Sequence, residues 1–233
     1  MNNQFNHIIT MKKIVASFFA ASLLLLGTQA FAQVIPGAGY LHVIEHSTGK
    51  DGKAVDPSHM NGFYLGASYN FRLGDYFGVA PGFYVDVLLQ GRNTANGVII
   101  GGMPLNVSSA YHYTEVDLNI PVNFSFKYDF SENGAFFVYA GPTFQYGVMA
   151  RSTFSSNVSI PYIHVNDKGA YNHYDKDNGD TKPFNILLGG GIGVQVGDIQ
   201  FLVGYDHTLL NVDRVEGFNT GRHQIKAGIN FEF

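Results

Sequence analysis

The sequence has no cysteine and no tryptophan, and only 14% of its 233 residues are charged. The absence of cysteine excludes disulfides, thiolate metal sites, thiol catalysis and a lipid anchor on an N-terminal cysteine. Beyond the N-terminal region there is no run of 18 apolar residues, which excludes a transmembrane helix. The chain has instead 28 glycines, 14 tyrosines and 20 phenylalanines, a composition that favours a β protein with tight turns.

Residues 11–32 have the organisation of a secretory signal sequence. Lys12 and Lys13 form its basic start, an apolar stretch follows, and Ala30-Phe31-Ala32 supplies a cleavage site. The order of these three parts is that of a signal peptide, so the segment is predicted to be removed.

The predicted domain organisation is therefore a signal peptide over 1–32, starting at Met11, and a mature domain over 33–233. Cleavage would leave 12 basic and 18 acidic residues. This acidic balance, with no basic patch, argues against a nucleic-acid partner.

Eight segments of the mature chain alternate apolar and polar residues, as strands with one apolar and one polar face do. Short turns and longer loops alternate between them, and the longer loops are 46–61, 91–109, 151–182 and 211–221. The pattern predicts an all-β fold, an eight-stranded antiparallel up-and-down transmembrane β-barrel. The predicted strands are 37–45, 62–73, 77–90, 111–128, 135–150, 183–196, 199–210 and 222–233.

Volume decides which face of these strands points outward. About forty apolar side chains share one face, and an eight-stranded barrel has an interior only just wide enough for side chains. The apolar face must therefore contact lipid, while the other face, rich in glycine, lines the lumen. Four bases and four acids on the inner face are predicted to form a charge network that plugs the lumen. They are Arg72, Asp86, Asp117, Lys127, Arg151, Asp206, Lys226 and Glu232.

Three segments of the strands have a distinctive sequence. They are Leu118-Asn119-Ile120-Pro121-Val122 with Phe126-Lys127-Tyr128, Tyr139-Ala140-Gly141-Pro142, and Tyr205-Asp206-His207-Thr208-Leu209-Leu210-Asn211. In these segments the chain resembles the PorT-like outer-membrane β-barrel-domain proteins of Gram-negative bacteria. The resemblance implies an eight-stranded barrel in the cell outer membrane, and it brings no catalytic residues with it.

Two motifs in the strands invite a catalytic or cofactor interpretation. Asp206 and His207 could perform acid–base chemistry, but neighbours on a strand point to opposite faces. A lumen aspartate and an interfacial histidine are the simpler interpretation. The run Gly189-Gly190-Gly191-Ile192-Gly193 lacks the spacing of a dinucleotide fingerprint, so these glycines are predicted to line the lumen.

The longest predicted loop contains candidate metal ligands. Asp175, Asp177, Asn178 and Asp180 could bind a hard cation such as Ca²⁺, although acidic loops are usually just solvated. The spacing does not match an EF-hand, and the loop histidines, His164 and His173, have no metal-ligand spacing either. We therefore predict no metal site, no cofactor and no catalytic residue.

The leading functional prediction is a monomeric, non-enzymatic protein embedded in outer-membrane lipid. It would act structurally, or on extracellular ligands through loops 91–109 and 151–182. Three tyrosines of the second loop, Tyr162, Tyr171 and Tyr174, suit a recognition surface and equally suit packing of the loop onto the barrel rim. The alternatives are a narrow porin-like channel for small solutes, a membrane-embedded hydrolase, and a secreted soluble barrel that binds a lipid.

Overall fold

The computed structural model describes residues 32–100, 103–160 and 163–232. The predicted signal peptide, apart from Ala32, and the terminal Phe233 lie outside these residues. Nine antiparallel strands make up most of the described chain. They are β1 (Ala32–Thr48), β2 (Ser58–Leu73), β3 (Phe77–Ile100), β4 (Met103–Ser131), β5 (Gly134–Ile160), β6 (Ile163–Asn172), β7 (Phe184–Val196), β8 (Ile199–Thr208) and β9 (Asn219–Phe231).

Eight of these strands close into a ring, in the order β1, β2, β3, β4, β5, β7, β8, β9. Strand β9 returns to β1, with pairs that run from Gly37–Asn230 to Thr48–Asn219. The predicted eight-stranded antiparallel barrel is therefore confirmed. Among the described residues, no helix has the length and apolar character needed to cross a membrane.

Two segments predicted as loops are largely β structure. Residues 91–109 extend β3 and β4 as a hairpin, paired from Gly91–His112 to Ile100–Met103. In 151–182, β5 continues to Ile160 and pairs with the ninth strand, β6. The loop prediction was wrong here because backbone pairing needs no apolar face. The apolar alternation ends near residue 90, but the backbone pairing continues.

The strands turn their apolar side chains outward. Leu65 and Ile192 are 63% and 60% exposed on the outer face, whereas Asp117 and Gln145 are buried on the inner face. This confirms the arrangement predicted from side-chain volume. Lipid is the environment that covers such an outer face.

Strand β1 departs from this rule, because its apolar residues Leu41 and Val43 point into the barrel and are fully buried. They pack with Met60, Leu88 and other inward residues in an apolar cluster inside the lumen. The weak alternation of this strand in the sequence reflects that reversal. The lumen is consequently filled by apolar as well as charged side chains.

A β-bulge in β5 changes which side chains face inward. Val116 pairs with Met149 and Asp117 pairs with Gly147, so Val148 is an extra residue in β5. One extra residue reverses the inward–outward order of everything that follows. Arg151, predicted in the lumen, is therefore exposed on the outer side of the strand.

Inward glycines let aromatic rings lie against the barrel wall. Gly39 and Gly228 are paired across β1 and β9, and a Cβ on Gly228 would overlap the hydroxyl of Tyr64. Gly191 and Gly204 form a second such pair, covered by a tyrosine of β5. Rings that cover glycine pairs fill the lumen and shield the exposed backbone of the strands.

Candidate functional site: the lumen network and outer vestibule

The lumen holds charged side chains in three tiers, and the lowest is at the end with the short turns. The buried carboxylate of Glu232 accepts hydrogen bonds from Arg72 at 3.2 Å, Lys127 at 3.1 Å and Gln200 at 2.6 Å. One acid is thus shared by two bases. A cavity of about 160 Å³ lies beside this tier and runs towards the middle of the lumen.

The middle tier is the ion pair between Lys226 and Asp206, with 2.6 Å between Nζ and Oδ2. Asp86 is buried nearby and lines the same cavity. Its charge is attracted by Lys226 and repelled by Asp206. One base therefore serves two acids at this level.

The upper tier is built around Glu115, whose side chain is 0% exposed. Its carboxylate accepts hydrogen bonds from Arg222 at 2.7 Å, Tyr113 at 2.8 Å and Tyr174 at 2.5 Å. Arg222 also donates from Nε to Glu45 at 2.8 Å. Three donors on one carboxylate offset much of the cost of burying it.

A second inner chain of polar contacts continues from Asp117. Gln145 donates to its Oδ2 at 3.2 Å, and Asn185 links Gln145 to Thr208 at 3.4 and 3.3 Å. The chain crosses β4, β5, β7 and β8, so the polar filling of the lumen extends across the barrel rather than along one strand.

Seven of the eight predicted network residues point into the lumen and lie near other charged side chains. Arg151 points outward instead. Three further members, Glu45, Glu115 and Arg222, were missed by the sequence analysis. Glu115 lies two residues from Asp117, and Arg222 lies two residues from Gln224. Strict alternation therefore places both on the inward face, and the sequence could have predicted them. The network now has six acids to four bases, where a balance was predicted. The members are Glu45, Arg72, Asp86, Glu115, Asp117, Lys127, Asp206, Arg222, Lys226 and Glu232.

Above the upper tier lies a vestibule, a cavity of about 370 Å³ that includes Glu45, Tyr111, His173 and Asp213 in its lining. Two segments, 173–183 and 209–218, partly cover it. They are joined to each other by backbone hydrogen bonds from Lys182 to Val212 at 2.7 Å and from Arg214 to Asp180 at 2.8 Å. The cover is therefore a connected structure and not two independent loops.

Segment 173–183 is fastened to the barrel by a serine–histidine–aspartate chain. His173 Nε2 lies 3.0 Å from Ser152 Oγ on β5, and its Nδ1 lies 2.9 Å from Asp180 Oδ1. The order and spacing are those of a serine hydrolase triad. Ser152, however, is only 6% exposed and does not line the vestibule, so the contacts hold the segment in place.

The other predicted candidates separate in space. Asp206 faces the lumen and His207 faces outward, as strand geometry requires. The run 189–193 lies within β7 and lends inward glycines to the barrel wall.

The acidic loop does not converge on one point. Asp175 accepts hydrogen bonds from the N–H groups of Asn178 and Asp177, which hold the pKa of its carboxyl below the usual range. Asp180 binds His173 instead, and no group of three or more ligand-type side chains that could hold a metal occurs among the described residues.

Of the loop tyrosines, Tyr174 reaches Glu115 inside the barrel, while Tyr171 hydrogen-bonds the carbonyl of Asn178. Tyr162 and the side chain of His164 lie outside the described residues. Tyr174 is thus a structural part of the upper tier, and this role had no signal in the sequence because the residue comes from a loop.

The comparison with known proteins agrees with this closed, lipid-facing barrel. Residues 37–220 match the family described as the outer membrane protein beta-barrel domain. The chain belongs to this family, and its location is the cell outer membrane. No curated protein matches the sequence.

Among solved structures, the chain is similar to Ail, the attachment invasion locus protein of Yersinia pestis. The two are 12% identical over 86% of this chain and 99% of that one, with a TM-score of 0.37. Neisserial surface protein A (NspA) is 14% identical over 87% and 99%, with a TM-score of 0.34. The outer membrane enzyme PagL is 9% identical over 83% and 99%, with a TM-score of 0.35. Such low values carry no argument about function.

Proposed function

We propose that this protein is a closed, non-enzymatic barrel that acts at the cell surface, where its vestibule receives a ligand. Outer-membrane barrels keep short turns in the periplasm, so the vestibule opens outward. The observation that carries the proposal is the upper tier. Glu115, Arg222 and the apolar cluster around Leu41 occupy the lumen directly beneath the vestibule. These side chains would block a solute that enters the vestibule from outside.

The charge of the vestibule favours a cationic ligand, such as an amine or a basic peptide. Its lining includes Glu45, Asp180 and Asp213, and the arginine in it, Arg222, is already paired with Glu45 and Glu115. Carboxylates in a walled recess focus a negative potential on the space between them. Tyrosine hydroxyls and backbone groups at the mouth would then orient the ligand.

The long hairpins extend this surface. Residues 91–100 pair with 103–112, and residues 151–160 pair with 163–172, so these strands are proposed to be rigid arms beside the vestibule. Segments 91–109 and 151–182 would then share in ligand contact. We propose further that the protein is a monomer, and that within its family it groups with the PorT-like barrels, on the three segments quoted above.

Two measurements test the proposal. In planar bilayers the purified protein should give no openings, and steady openings would contradict a closed barrel. Spermidine, used as a cationic probe in calorimetry, should bind, and Asp213→Asn should weaken it. Asp177→Asn is the matched control, because Asp177 lies in the covering segment but outside the vestibule lining. Equal binding by both variants would contradict the vestibule site.

A hydrolase is the second candidate, favoured by the distances between Ser152, His173 and Asp180. A fluorophosphonate probe reacts with an activated serine, so it distinguishes a working triad from a structural clasp. We expect no labelling. Stoichiometric labelling that is lost in both Ser152→Ala and His173→Ala would establish the hydrolase instead.

A further inference from the structure

The outer face of the barrel carries a patch of histidines where an apolar surface is expected. Five of the nine histidines point outward from four adjacent strands, β8, β9, β1 and β2. We call them the histidine patch. They are His42, His46, His59, His207 and His223.

Three of these rings form a contiguous group. The ring of His223 lies 5.1 Å from that of His46 on one side and 4.7 Å from that of His207 on the other. The Tyr205 hydroxyl hydrogen-bonds Nδ1 of His223. The other two rings, His42 on β1 and His59 on β2, lie 5.5 Å apart.

The histidines of the patch differ in how many hydrogen bonds they make to other side chains. His42 is held by Asn61 at 2.8 Å, and Asn61 also binds the Tyr40 hydroxyl. His46 and His207 make ring contacts but no hydrogen bond or ion pair with another described side chain. Their nitrogens, together with Nε2 of His223, are available to a ligand outside the barrel.

The height of the patch places it at the outer leaflet. His207 lies eight residues above Ile199, and His223 eight residues from Phe231, both counted from the periplasmic end. Eight residues span about 26 Å along a strand, or about 20 Å along the barrel axis at a tilt of about 40°. The apolar band of such barrels is about 25 Å tall. The rings therefore lie near its upper edge, at the depth of the lipid headgroups.

We propose that His46, His207 and His223 bind the phosphate of a phosphorylated outer-leaflet lipid, and that acidification strengthens the binding. A protonated imidazole donates charge-assisted hydrogen bonds from both ring nitrogens, and protonation is favoured as the pH falls. The titratable groups that face the three rings are one another and Tyr205, with His42 and His59 beside them. No described carboxylate forms an ion pair with them. The lipid phosphate thus supplies the missing countercharge. The acyl chains of the same lipid would cover the apolar outer face of the barrel below the histidines.

Lipid binding can be measured in phosphatidylcholine nanodiscs with and without diphosphoryl lipid A. Native mass spectrometry detects the bound lipid, and the rise in the unfolding temperature of the protein reports its affinity. The wild type should bind lipid A about tenfold more tightly at pH 5.5 than at pH 8. The triple variant His46→Gln, His207→Gln, His223→Gln should lose that gain. His112→Gln is the matched control, since His112 points outward from β4, on the opposite side of the ring from β9.

A gain-of-function variant guards against misfolding as an explanation. His207→Arg keeps a charge at every pH, so it should bind lipid A at pH 8 as the wild type does at pH 5.5. Binding by the triple variant equal to wild type would overturn the proposal. So would equal affinity for lipid A without phosphates, or acid-induced self-association of the barrel in its place. None of these outcomes bears on the vestibule.

Discussion

Removal of the Arg222 charge is the sharpest test of the lumen architecture. In Arg222→Met, Glu115 keeps its tyrosine donors but loses its countercharge while fully buried. Its carboxyl then either stays charged or takes up a proton. Because a free glutamate titrates near pH 4.3, proton uptake at pH 7 costs about 3–4 kcal/mol. Loss of one partner of a buried pair costs a similar ~3–5 kcal/mol. We expect the free energy of unfolding to fall by about that amount.

The sign of the pH dependence follows from the same argument. A folded variant that binds a proton which the unfolded chain does not bind loses stability as the pH rises. The deficit of Arg222→Met should therefore shrink between pH 7 and pH 5. Adding Glu115→Gln should restore at least half of it at pH 7, since the carboxylate that is fully buried and has lost its countercharge is then replaced by a neutral amide.

Urea unfolding in lipid vesicles is the assay. The chain has no tryptophan, so unfolding is followed by far-ultraviolet circular dichroism and by gel mobility. Arg151→Met is the control, because strict alternation places that arginine in the lumen whereas the bulge at Val148 places it outside. It should cost under about 0.5 kcal/mol. A large loss for Arg151→Met would refute the bulge, and no loss for Arg222→Met would refute the upper tier.

Three further outcomes are expected. Gly228→Ala should destabilise the barrel by about 1–3 kcal/mol in the same assay, because its Cβ overlaps Tyr64, whereas Gly221→Ala, with open space around it, should be near neutral. Deletion of Val148 should lower the folded fraction on gels, because it reverses the faces of the rest of β5. His173→Ala should speed proteolysis within 173–183 without unfolding the barrel, because it removes the contacts to Ser152 and Asp180.

The membrane-spanning strands could be predicted from the sequence because lipid imposes a period-two pattern on them. Asp117 and Lys127 alternate with Val116, Leu118 and Phe126, and a one-residue slip would place charges against hydrocarbon. The requirement for an apolar outer face ends at the depth of the lipid headgroups. Residues 91–97 remain paired strand although their sequence has no alternation of large apolar residues, so the pattern predicts a loop there.

The errors inside the barrel have a different origin. The outward position of Arg151 needs one unpaired residue, Val148, and a single valine carries no sign that it is a bulge. The contribution of Tyr174 depends on how its loop folds back into the mouth. Strand β1 turns its apolar residues inward because its lumen side packs against Met60 and Leu88, and only the closed ring brings these residues together. These features depend on tertiary contacts between distant segments.

The energetics of the tiers support the proposal that the protein acts at the surfaces of the barrel and not as a channel. If separation of the buried Glu115–Arg222 pair costs about 3–5 kcal/mol, the open state occupies roughly one molecule in 200 to one in 5,000. A solute would also have to displace Lys226 from Asp206, and Arg72 and Lys127 from Glu232, before it reached the periplasm. Each displacement multiplies the improbability. Ligands are therefore expected where no tier must open, in the vestibule above Glu115 and along the lipid-facing histidines.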